Sequence, residues 1–476
     1  MITFLLSIAA LILGYFIYGS IVERVFGIDK DKQTPAYSLE DGVDYVPISW
    51  GKIFLIQFLN IAGLGPIFGA IAGAMWGPIA FLWIVFGCIF GGAVHDYFSG
   101  MMSLREDGKS MPEVVGKYLG NGMKQFMRIF TVLLMVLVGA VFIMGPAKIL
   151  TGLTGDYVGM TFWIWTVFIY YILATLLPID KLIGRIYPIF GFALLFMALG
   201  ITISMIYNKL LIPELTLSNF ANMNANPDSF PVFPMLFVTI ACGAISGFHS
   251  TQSPLMARCM KNEKLGRRVF YGAMITEGIV AMVWAAVAMS FFGGVHELNE
   301  VMASQKGNAA WVVNEISNTL LGKFGAILAI LGVVAAPITS GDTAFRSARL
   351  IVADFLNYKQ VKLKNRLYIS VPLFVVGFTL TQIDFGIIWR YMAWSNQTLA
   401  AIVLWAITVY LYKNHKFYWI SLIPAIFMTA VCSVYIMVAP EGFRLSTNIA
   451  YPISAAITIA VTLLFWFSVK KKKLIK

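Results

Sequence analysis

Four side chains that can gain or lose a proton lie inside stretches that are otherwise apolar. They are His95 and Asp96, which are neighbours in the chain, together with His249 and Glu277. An imidazole changes its charge near neutral pH, and a carboxyl group buried away from water can hold a proton there. These four residues are therefore predicted to form a proton relay. For Asp96 and Glu277, a buried ion pair with Lys or Arg is an equally good prediction.

Two runs that contain glycine and proline carry most of the remaining buried polar side chains. The first spans residues 60–66 and the second spans residues 242–254. A helix interrupted at such a run exposes backbone donors at one broken end and acceptors at the other. The donors suit a substrate carboxylate, and the acceptors suit a cation or a proton carrier. The predicted substrate-binding residues are Gln57, Asn60, Gly63, Gly65, Ser246, Gly247, Phe248, His249, Ser250 and Gln252.

Some of these residues also fit a purely structural role. Phe248 could form an apolar wall of the site or serve in packing alone. Gln57 and Asn60 lie three residues apart on one helix face, where they can point into the cavity or make interhelical hydrogen bonds. Cys88, Cys242, Cys259 and Cys432 are predicted to be buried packing residues because they are widely spaced and mostly lie in apolar runs.

The composition determines what kind of element must carry these residues. Of the 476 residues, 59% are hydrophobic and only 12% are charged, and the mean hydropathy is +0.80. This leaves too little polar surface for a soluble protein, which excludes a cytosolic enzyme, a nucleic-acid-binding protein and a secreted disulfide-rich domain. The sequence therefore predicts an all-α polytopic membrane protein. Residues 3–19 are predicted to be an uncleaved first span, because no basic residue precedes them.

Windows of roughly 20 apolar residues predict twelve or thirteen membrane spans. If the spans alternate between the two sides, most of the 35 Lys and Arg residues fall in every second loop. This bias predicts a cell-membrane protein with its N-terminus outside and its C-terminus, including the basic tail at residues 470–476, in the cytoplasm. The basic residues assigned to the opposite side are Lys148, Lys209, Lys306, Lys323, Arg390 and Arg444.

The two interrupted runs occupy corresponding positions in two sets of five spans, 53–207 and 232–411. Because five is odd, the second set must start from the opposite side of the membrane. An inverted repeat whose first helices are both discontinuous is typical of a secondary transporter with a site near the bilayer midplane. Residues 1–52 are then a separate first span and loop, and residues 417–476 form two further spans and a tail. Residues 293–321 are expected to be a loop.

Five stretches of the sequence resemble the carbon starvation protein A family in a consistent order. This resemblance implies uptake of peptides, or of pyruvate with protons, during carbon limitation. It also implies kinship with amino acid–polyamine–cation transporters, which have the leucine-transporter-like five-plus-five fold. The matching stretches are GVDYVP (42–47), IAGLGPI (61–67), SLREDGKS (103–110), ISGFHSTQSP (245–254) and GDTAFRS (341–347).

The same kinship adds a candidate site for a coupling cation. In related transporters, the corresponding eighth helix of the repeat pair offers hydroxyl groups to a cation beside the first broken helix. Thr339, Ser340 and Thr343 are spaced so that their hydroxyls can share one helix face. Asp342 is included as a coupling candidate, although its spacing from Arg346 fits an ordinary ion pair equally well.

The leading hypothesis is a proton-coupled symporter that imports pyruvate or short peptides by alternating access. A sodium-coupled symporter of amino acids and a transporter-like nutrient sensor are the alternatives. An enzyme is not expected, because no H-E-x-x-H, G-x-S-x-G or P-loop pattern occurs. We also expect no metal, haem, flavin or nucleic acid partner. The expected partners are the small-molecule substrate, protons or sodium ions, and the lipid bilayer.

Overall fold

The protein is described by a computed structural model that covers residues 1–176, 179–360 and 362–471. The predicted span boundary at Pro178 and the end of the basic tail lie outside these residues. The described part of the chain is helical, apart from loops and one isolated bridge between Ile48 and Met260. Its α-helices, in chain order, are α1 (Ile2–Phe16), α2 (Tyr18–Phe26), α3 (Pro35–Ser38), α4 (Trp50–Ala62), α5 (Ala70–Gly73), α6 (Ile79–Phe86), α7 (Ala93–Arg105), α8 (Met111–Leu119), α9 (Asn121–Thr154), α10 (Met160–Leu176), α11 (Ile179–Tyr207), α12 (Phe237–Thr239), α13 (Gly247–Ala257), α14 (Gly272–Phe291), α15 (Val295–Ser304), α16 (Ala309–Leu328), α17 (Ala335–Leu356), α18 (Leu363–Leu380), α19 (Phe385–Lys413), α20 (Trp419–Val438) and α21 (Thr447–Lys471).

Eight helices among the described residues are long and apolar enough to cross a bilayer. The count rises to nine if α4 and the bent segment that follows it are taken as one span. Several predicted spans fall short of this measure because they are interrupted or carry buried polar residues, as α13 and α17 do. The all-α membrane architecture is therefore confirmed, whereas the total of twelve or thirteen spans stays a prediction.

The first glycine and proline run does interrupt its helix. α4 ends at Ala62, and Gly63 leaves helical geometry with φ 7° and ψ −137°. The chain resumes helical turns at Gly65–Gly69, and the segment Gly65–Trp76 is bent by 54° from α4. Pro66 contributes to the break because it has no backbone N–H to donate to the preceding turn.

The second run interrupts its helix more completely. α12 ends at Thr239, and α13 begins only at Gly247. The intervening residues form turns rather than a continuous helix. Two side chains from other helices satisfy carbonyl groups exposed near the break: the Trp83 indole N–H donates to the Ile240 carbonyl at 3.0 Å, and Gln397 donates to the Phe237 carbonyl at 3.2 Å. Both breaks therefore lie in protein-lined surroundings, as unwound backbone at membrane depth requires.

Several helices contain a π-helical turn, in which one extra residue is accommodated. Two of these turns, Gly87–Gly92 and Arg267–Tyr271, lead directly into α7 and α14. π-Helical turns occur frequently at functional sites, where they aim a side chain in a direction that a regular helix would not. His95 and Asp96 lie just after the first turn and Glu277 lies just after the second, so both turns position candidate proton carriers.

The predicted loop at residues 293–321 is wrong. The structure has α15 at Val295–Ser304 and the first part of α16 in this region. Val295, Leu298 and Met302 are buried along one face of α15, at the spacing of an amphipathic helix. This pattern is present in the sequence, but a search for long apolar spans does not detect a short helix with a polar outer face.

At the end of α7, an ion pair ties segments that are distant in sequence. Arg105 donates to both carboxylate oxygens of Glu263 at 3.0 and 2.9 Å, and Glu263 also accepts from the Asp29 backbone at 2.7 Å. Nearby, the Tyr45 hydroxyl donates to the Asp107 carbonyl at 2.9 Å. Burial raises the pKa of the Tyr45 phenol, so this donor remains protonated at neutral pH. These contacts hold the loops against the helix ends.

Candidate functional site

The two helix breaks lie against each other. A side chain at Gly65 would overlap the side chain of Cys242, and a Cβ at Gly69 would lie 2.8 Å from the Thr239 carbonyl oxygen. Glycine is thus required at these positions because the backbones of the two interrupted helices approach too closely for a larger residue. The predicted meeting of the two runs is seen in the structure.

The four predicted proton carriers form one buried chain beside the second break. His95 Nδ1 lies 2.8 Å from Asp96 Oδ1, and His249 Nδ1 lies 2.8 Å from Asp96 Oδ2. His249 Nε2 in turn lies 3.4 Å from Glu277 Oε2. All four side chains have no solvent exposure. Three separate helices contribute them: α7 provides His95 and Asp96, α13 provides His249, and α14 provides Glu277.

If Asp96 is ionised, the hydrogen-bond geometry fixes the direction in which the two imidazoles point their Nδ1–H groups. An ionised Asp96 can only accept, so both imidazoles must direct Nδ1–H towards it. A neutral His249 then has Nε2 free as an acceptor facing Glu277. One proton can therefore occupy either the Glu277 carboxyl group or His249 Nε2. Neither His249 Nε2 nor the Glu277 carboxylate oxygens have a hydrogen-bond partner among the described residues, so the 3.4 Å separation is a close approach and not a hydrogen bond.

Two predicted residues on α4 behave differently from each other. The Gln57 side-chain amide donates to Ser253 Oγ at 3.4 Å, which joins α4 to α13. Asn60 is fully buried in the last turn before the first break, and neither end of its amide has a hydrogen-bond partner among the described residues. An unsatisfied buried amide is costly, so Asn60 is the stronger ligand candidate of the two.

The N-terminus of α13 is capped by a residue that the sequence analysis missed. Asn396 Oδ1, on α19, accepts from the Phe248 backbone N–H at 2.6 Å and from Ser246 Oγ at 3.1 Å. Asn396 Nδ2 also lies 3.7 Å from Cys242 Sγ. One carboxamide therefore spans the second break. No sequence signal places Asn396 here, because it lies about 150 residues from its partners.

The other polar side chains of α13 make bonds close to their own position in the chain. Ser250 Oγ donates to the Gly247 carbonyl at 2.6 Å, and Gln252 Nε2 donates to Thr251 Oγ1 at 2.8 Å. The Gln252 carbonyl oxygen has no partner among the described residues. Both side chains are buried, and Gln252 retains an acceptor that a ligand could use.

Aromatic rings cover the first break on one side. A Cβ at Gly63 would lie 2.5 Å from Cζ of Phe142, which belongs to α9. The Phe142 and Phe248 ring centroids are 6.0 Å apart, and their planes are inclined at 88°. This edge-to-face pair supports the prediction that Phe248 forms an apolar wall. It adds Phe142, which the sequence analysis did not single out because it lies in an ordinary apolar helix.

The three hydroxyls of α17 are only partly directed at the breaks. Ser340 Oγ bonds to the Leu59 carbonyl at 3.0 Å, close to the end of α4. Thr339 Oγ1 and Thr343 Oγ1 donate to carbonyl groups of their own helix. All three residues are buried. Ser340 is therefore the hydroxyl that reaches the first break.

Asp342 interacts electrostatically with Arg346 and Arg349, and it also accepts a hydrogen bond from a third side chain. The Tyr187 hydroxyl donates to Asp342 Oδ2 at 2.8 Å, and Arg346 Nη1 lies 3.9 Å from Asp44 Oδ1. Asp342 follows Ser340 by two residues, so it projects from a different face of α17 than Ser340 does. The structure thus places Asp342 in a second polar cluster and does not bring it to the helix breaks.

One of the four cysteines, Cys242, lies beside the candidate proton carriers. All four cysteines are buried and free, as expected, but Cys242 also belongs to the site. Its Sγ, a His249 ring nitrogen and a Glu277 oxygen all lie within 4.8 Å of one another. Thiolate, imidazole and carboxylate groups are chemically able to bind a divalent metal, and binding would require the Cys242 thiol and the Glu277 carboxyl group to be deprotonated.

Comparison with known proteins agrees with this architecture. A leucine-transporter-like structure, MhsT in complex with L-phenylalanine, has a TM-score of 0.55 at 14% identity, over 86% of this chain and 98% of that one. At this identity the likeness shows the fold alone. The five-plus-five arrangement of the repeats stays a prediction, as do the boundaries at 1–52, 53–207, 232–411 and 417–476.

Sequence relatives are more specific. The family model for carbon starvation protein CstA matches residues 1–155, 157–321 and 310–435. A Bacillus subtilis protein named peptide transporter CstA is 28% identical over 84% of this chain and 83% of its own length. An uncharacterised membrane protein of Haemophilus influenzae is 45% identical over 64% of this chain and 95% of its own length. The chain is therefore a multi-pass membrane transporter that belongs to the carbon starvation protein CstA family.

Proposed function

We propose that this protein is a secondary active transporter that imports a small carboxylate such as pyruvate, or short peptides, by alternating access coupled to protons. The relative from Bacillus subtilis is named a peptide transporter. Pyruvate and the C-terminus of a peptide both carry a carboxylate, so either substrate fits the same binding chemistry. We further propose a role in the response to carbon starvation and a location in the cell membrane, with the N-terminus outside.

The observation that carries the proton coupling is the row of close contacts from His95 through Asp96 and His249 to Glu277. These groups are buried and come from three helices, so a relative movement of the helices changes which members of the chain touch. Burying an ionisable group in a membrane protein costs free energy, so such groups are candidates for a functional role. His249 also lies in the first turn of the helix that follows the break, which links proton transfer to the substrate site.

Substrate binding is proposed at the junction of the two breaks. The N-terminus of α13 offers backbone N–H groups and the partial positive charge of a helix dipole to a carboxylate. Asn60 offers both a donor and an acceptor that have no partner among the described residues. Phe142 and Phe248 provide an apolar surface for the remainder of the substrate. The roles of Gly63, Gly65, Gln57, Ser250 and Gln252 in binding are part of the same proposal.

Sodium coupling is the second candidate. It is favoured by one observation, which is that Ser340 Oγ bonds to the Leu59 carbonyl beside the first break. A sodium site there would use hydroxyl and carbonyl oxygens from α17 and α4, with Thr339 and Thr343 as further oxygen donors. This model predicts uptake that depends on a sodium gradient and that is lost in Ser340→Ala.

The test is uptake by purified protein in proteoliposomes, with labelled pyruvate and labelled dialanine supplied separately. A proton gradient or a sodium gradient is imposed alone, with the membrane potential held at zero. We expect accumulation above the external concentration only with the proton gradient. Accumulation that needs neither gradient would refute the symporter proposal, and accumulation with sodium alone would support the second candidate.

A histidine substitution tests the relay within the same assay. His249→Gln keeps a polar side chain but cannot relay a proton, so it should abolish gradient-driven accumulation. His296 is a matched control because it is exposed, lies on α15 and pairs only with its helix neighbour Glu300. His296→Gln should accumulate substrate as the wild type does. Wild-type accumulation by His249→Gln would remove His249 from the relay.

A further inference from the structure

We infer that Asn396 is a built-in competitor of the substrate, which holds the N-terminus of α13 until a substrate carboxylate displaces it. This inference rests on the proposed binding of a carboxylate at the helix breaks and identifies the group that the carboxylate must replace. It assigns a function to a residue of α19, which lies outside both interrupted helices. Asn396 is then a positioning residue that links substrate binding to movement of α19.

The first argument is the unusual way in which α13 is capped. Ser246 occupies the N-cap position, where a serine normally accepts a hydrogen bond from the second or third residue of its own helix. Here Ser246 makes no such bond and instead donates to Asn396 Oδ1 at 3.1 Å. The Phe248 N–H, which the cap serine would ordinarily satisfy, donates to the same oxygen at 2.6 Å.

The second argument is that Asn396 Oδ1 occupies the position of an anionic ligand. It is an oxygen acceptor that receives one backbone N–H and one hydroxyl at a helix N-terminus, which is the contact set that a carboxylate oxygen makes there. A carboxamide oxygen is neutral, whereas a carboxylate carries charge and forms stronger hydrogen bonds. A substrate carboxylate can therefore compete with the Asn396 carboxamide oxygen for these two donors.

The third argument concerns the helix that carries Asn396. The first residue of α13 packs against the α19 backbone so closely that a Cβ at Gly247 would lie 2.5 Å from the Ala400 backbone nitrogen. Asn396 Nδ2 also contacts Cys242 Sγ on the other side of the break, at 3.7 Å. Displacement of the carboxamide would thus remove the Asn396 contacts with both sides of the break, while Gln397 on the same helix still donates to the Phe237 carbonyl. Substrate binding would in this way weaken the attachment of α19 to α13 and make movement of α19 easier.

The alternative is that Asn396 is only a structural cap, and two substitutions separate the possibilities. Asn396→Ala removes the competitor. We expect KM for the transported carboxylate to fall about threefold to tenfold, although the thermal stability of the protein decreases. Asn396→Asp keeps the shape and remains a good cap, so its stability should be retained. Its KM should rise about tenfold or more, because a charged oxygen competes more strongly.

Gln397 provides a matched control on the same helix. It is fully buried, and its side chain donates to the Phe237 carbonyl, so Gln397→Ala also removes one interhelical hydrogen bond at the discontinuous helix. This bond lies at Phe237, the first residue of α12, and not at the N-terminus of α13. Gln397→Ala should therefore lower stability without lowering KM.

The measurements are initial uptake rates and the direct binding of pyruvate and dialanine to the purified variants, followed by tryptophan fluorescence. An unchanged or raised KM in Asn396→Ala would overturn the inference and leave the transporter proposal intact. Failure of the wild type to bind or take up either compound would instead refute the proposed function itself. Dialanine amide serves as a further probe, because it lacks the carboxylate and should show no gain in Asn396→Ala.

Discussion

Replacement of Glu277 by glutamine isolates the proton step with little change of shape. Glu277 is fully buried and faces His249 Nε2 at 3.4 Å. The amide keeps the volume of the carboxyl group but cannot take up or release a proton near neutral pH. We therefore expect Glu277→Gln to bind substrate and exchange it across the membrane, but to lose the ability to concentrate it.

The expected magnitude follows from the number of protons that the chain can share. The pairing of His249 with Glu277 accommodates one exchangeable proton, so we predict that one proton accompanies each substrate. A gradient of one pH unit corresponds to about 1.4 kcal/mol, which supports about tenfold accumulation of pyruvate by the wild type. In Glu277→Gln the ratio of internal to external pyruvate should be about one at any pH gradient.

The same stoichiometry of one proton per substrate also predicts how accumulation depends on the membrane potential. Pyruvate anion with one proton carries no net charge, so a membrane potential should not change its accumulation. A zwitterionic dipeptide with one proton carries one positive charge, and 100 mV then adds about 2.3 kcal/mol, or about 50-fold. Both quantities are measured in proteoliposomes with imposed pH gradients and potassium diffusion potentials. Uphill accumulation by Glu277→Gln that equals that of the wild type would refute the assignment.

Three further substitutions test other parts of the structure. Gly65→Ala should force the two helix breaks apart at Cys242, which should lower stability by about 1–3 kcal/mol in a thermal unfolding assay and reduce uptake. A fully active variant would contradict the close contact. Phe142→Ala should raise KM at least severalfold by removing the aromatic wall, with a stability loss of about 3–5 kcal/mol, and an unchanged KM would exclude this wall from binding. Glu263→Gln should weaken the ion pair with Arg105 and reduce the stability of the protein by about 1–3 kcal/mol without changing substrate affinity. A change in affinity without destabilisation would show that this ion pair acts on the substrate site.

Local sequence chemistry was sufficient to predict the two helix breaks and the proton carriers. Glycine and proline clustered with polar residues in one run weaken a helix, and this local signal predicts the interruptions at Gly63 and before Gly247. His249 and Glu277 were detected because a titratable group in an apolar stretch is conspicuous. The structure adds that these groups touch, which only the packing of three helices could determine.

The partners that could not be predicted are those supplied by distant helices. Asn396 and Phe142 lie in helices whose sequences carry no local sign of a site. Asp342 interacts electrostatically with Arg346, as their spacing predicts, but this spacing does not reveal the hydrogen bond that Asp342 accepts from Tyr187 on α11. Helical spacing indicates which residues share a face, whereas it does not indicate which other helix that face meets.

The π-helical turns before α7 and α14 have a consequence for how the carboxyl groups could change sides. Each turn stores one residue beyond the number that regular α-helical hydrogen bonding requires. If such a turn reverts to α-helical bonding, every side chain further along the helix rotates by about 100° relative to the chain before it. Asp96 and Glu277 lie directly downstream of these turns. The bundle therefore contains two points at which a local change in winding would turn a carboxyl group together with the rest of the helix that follows it.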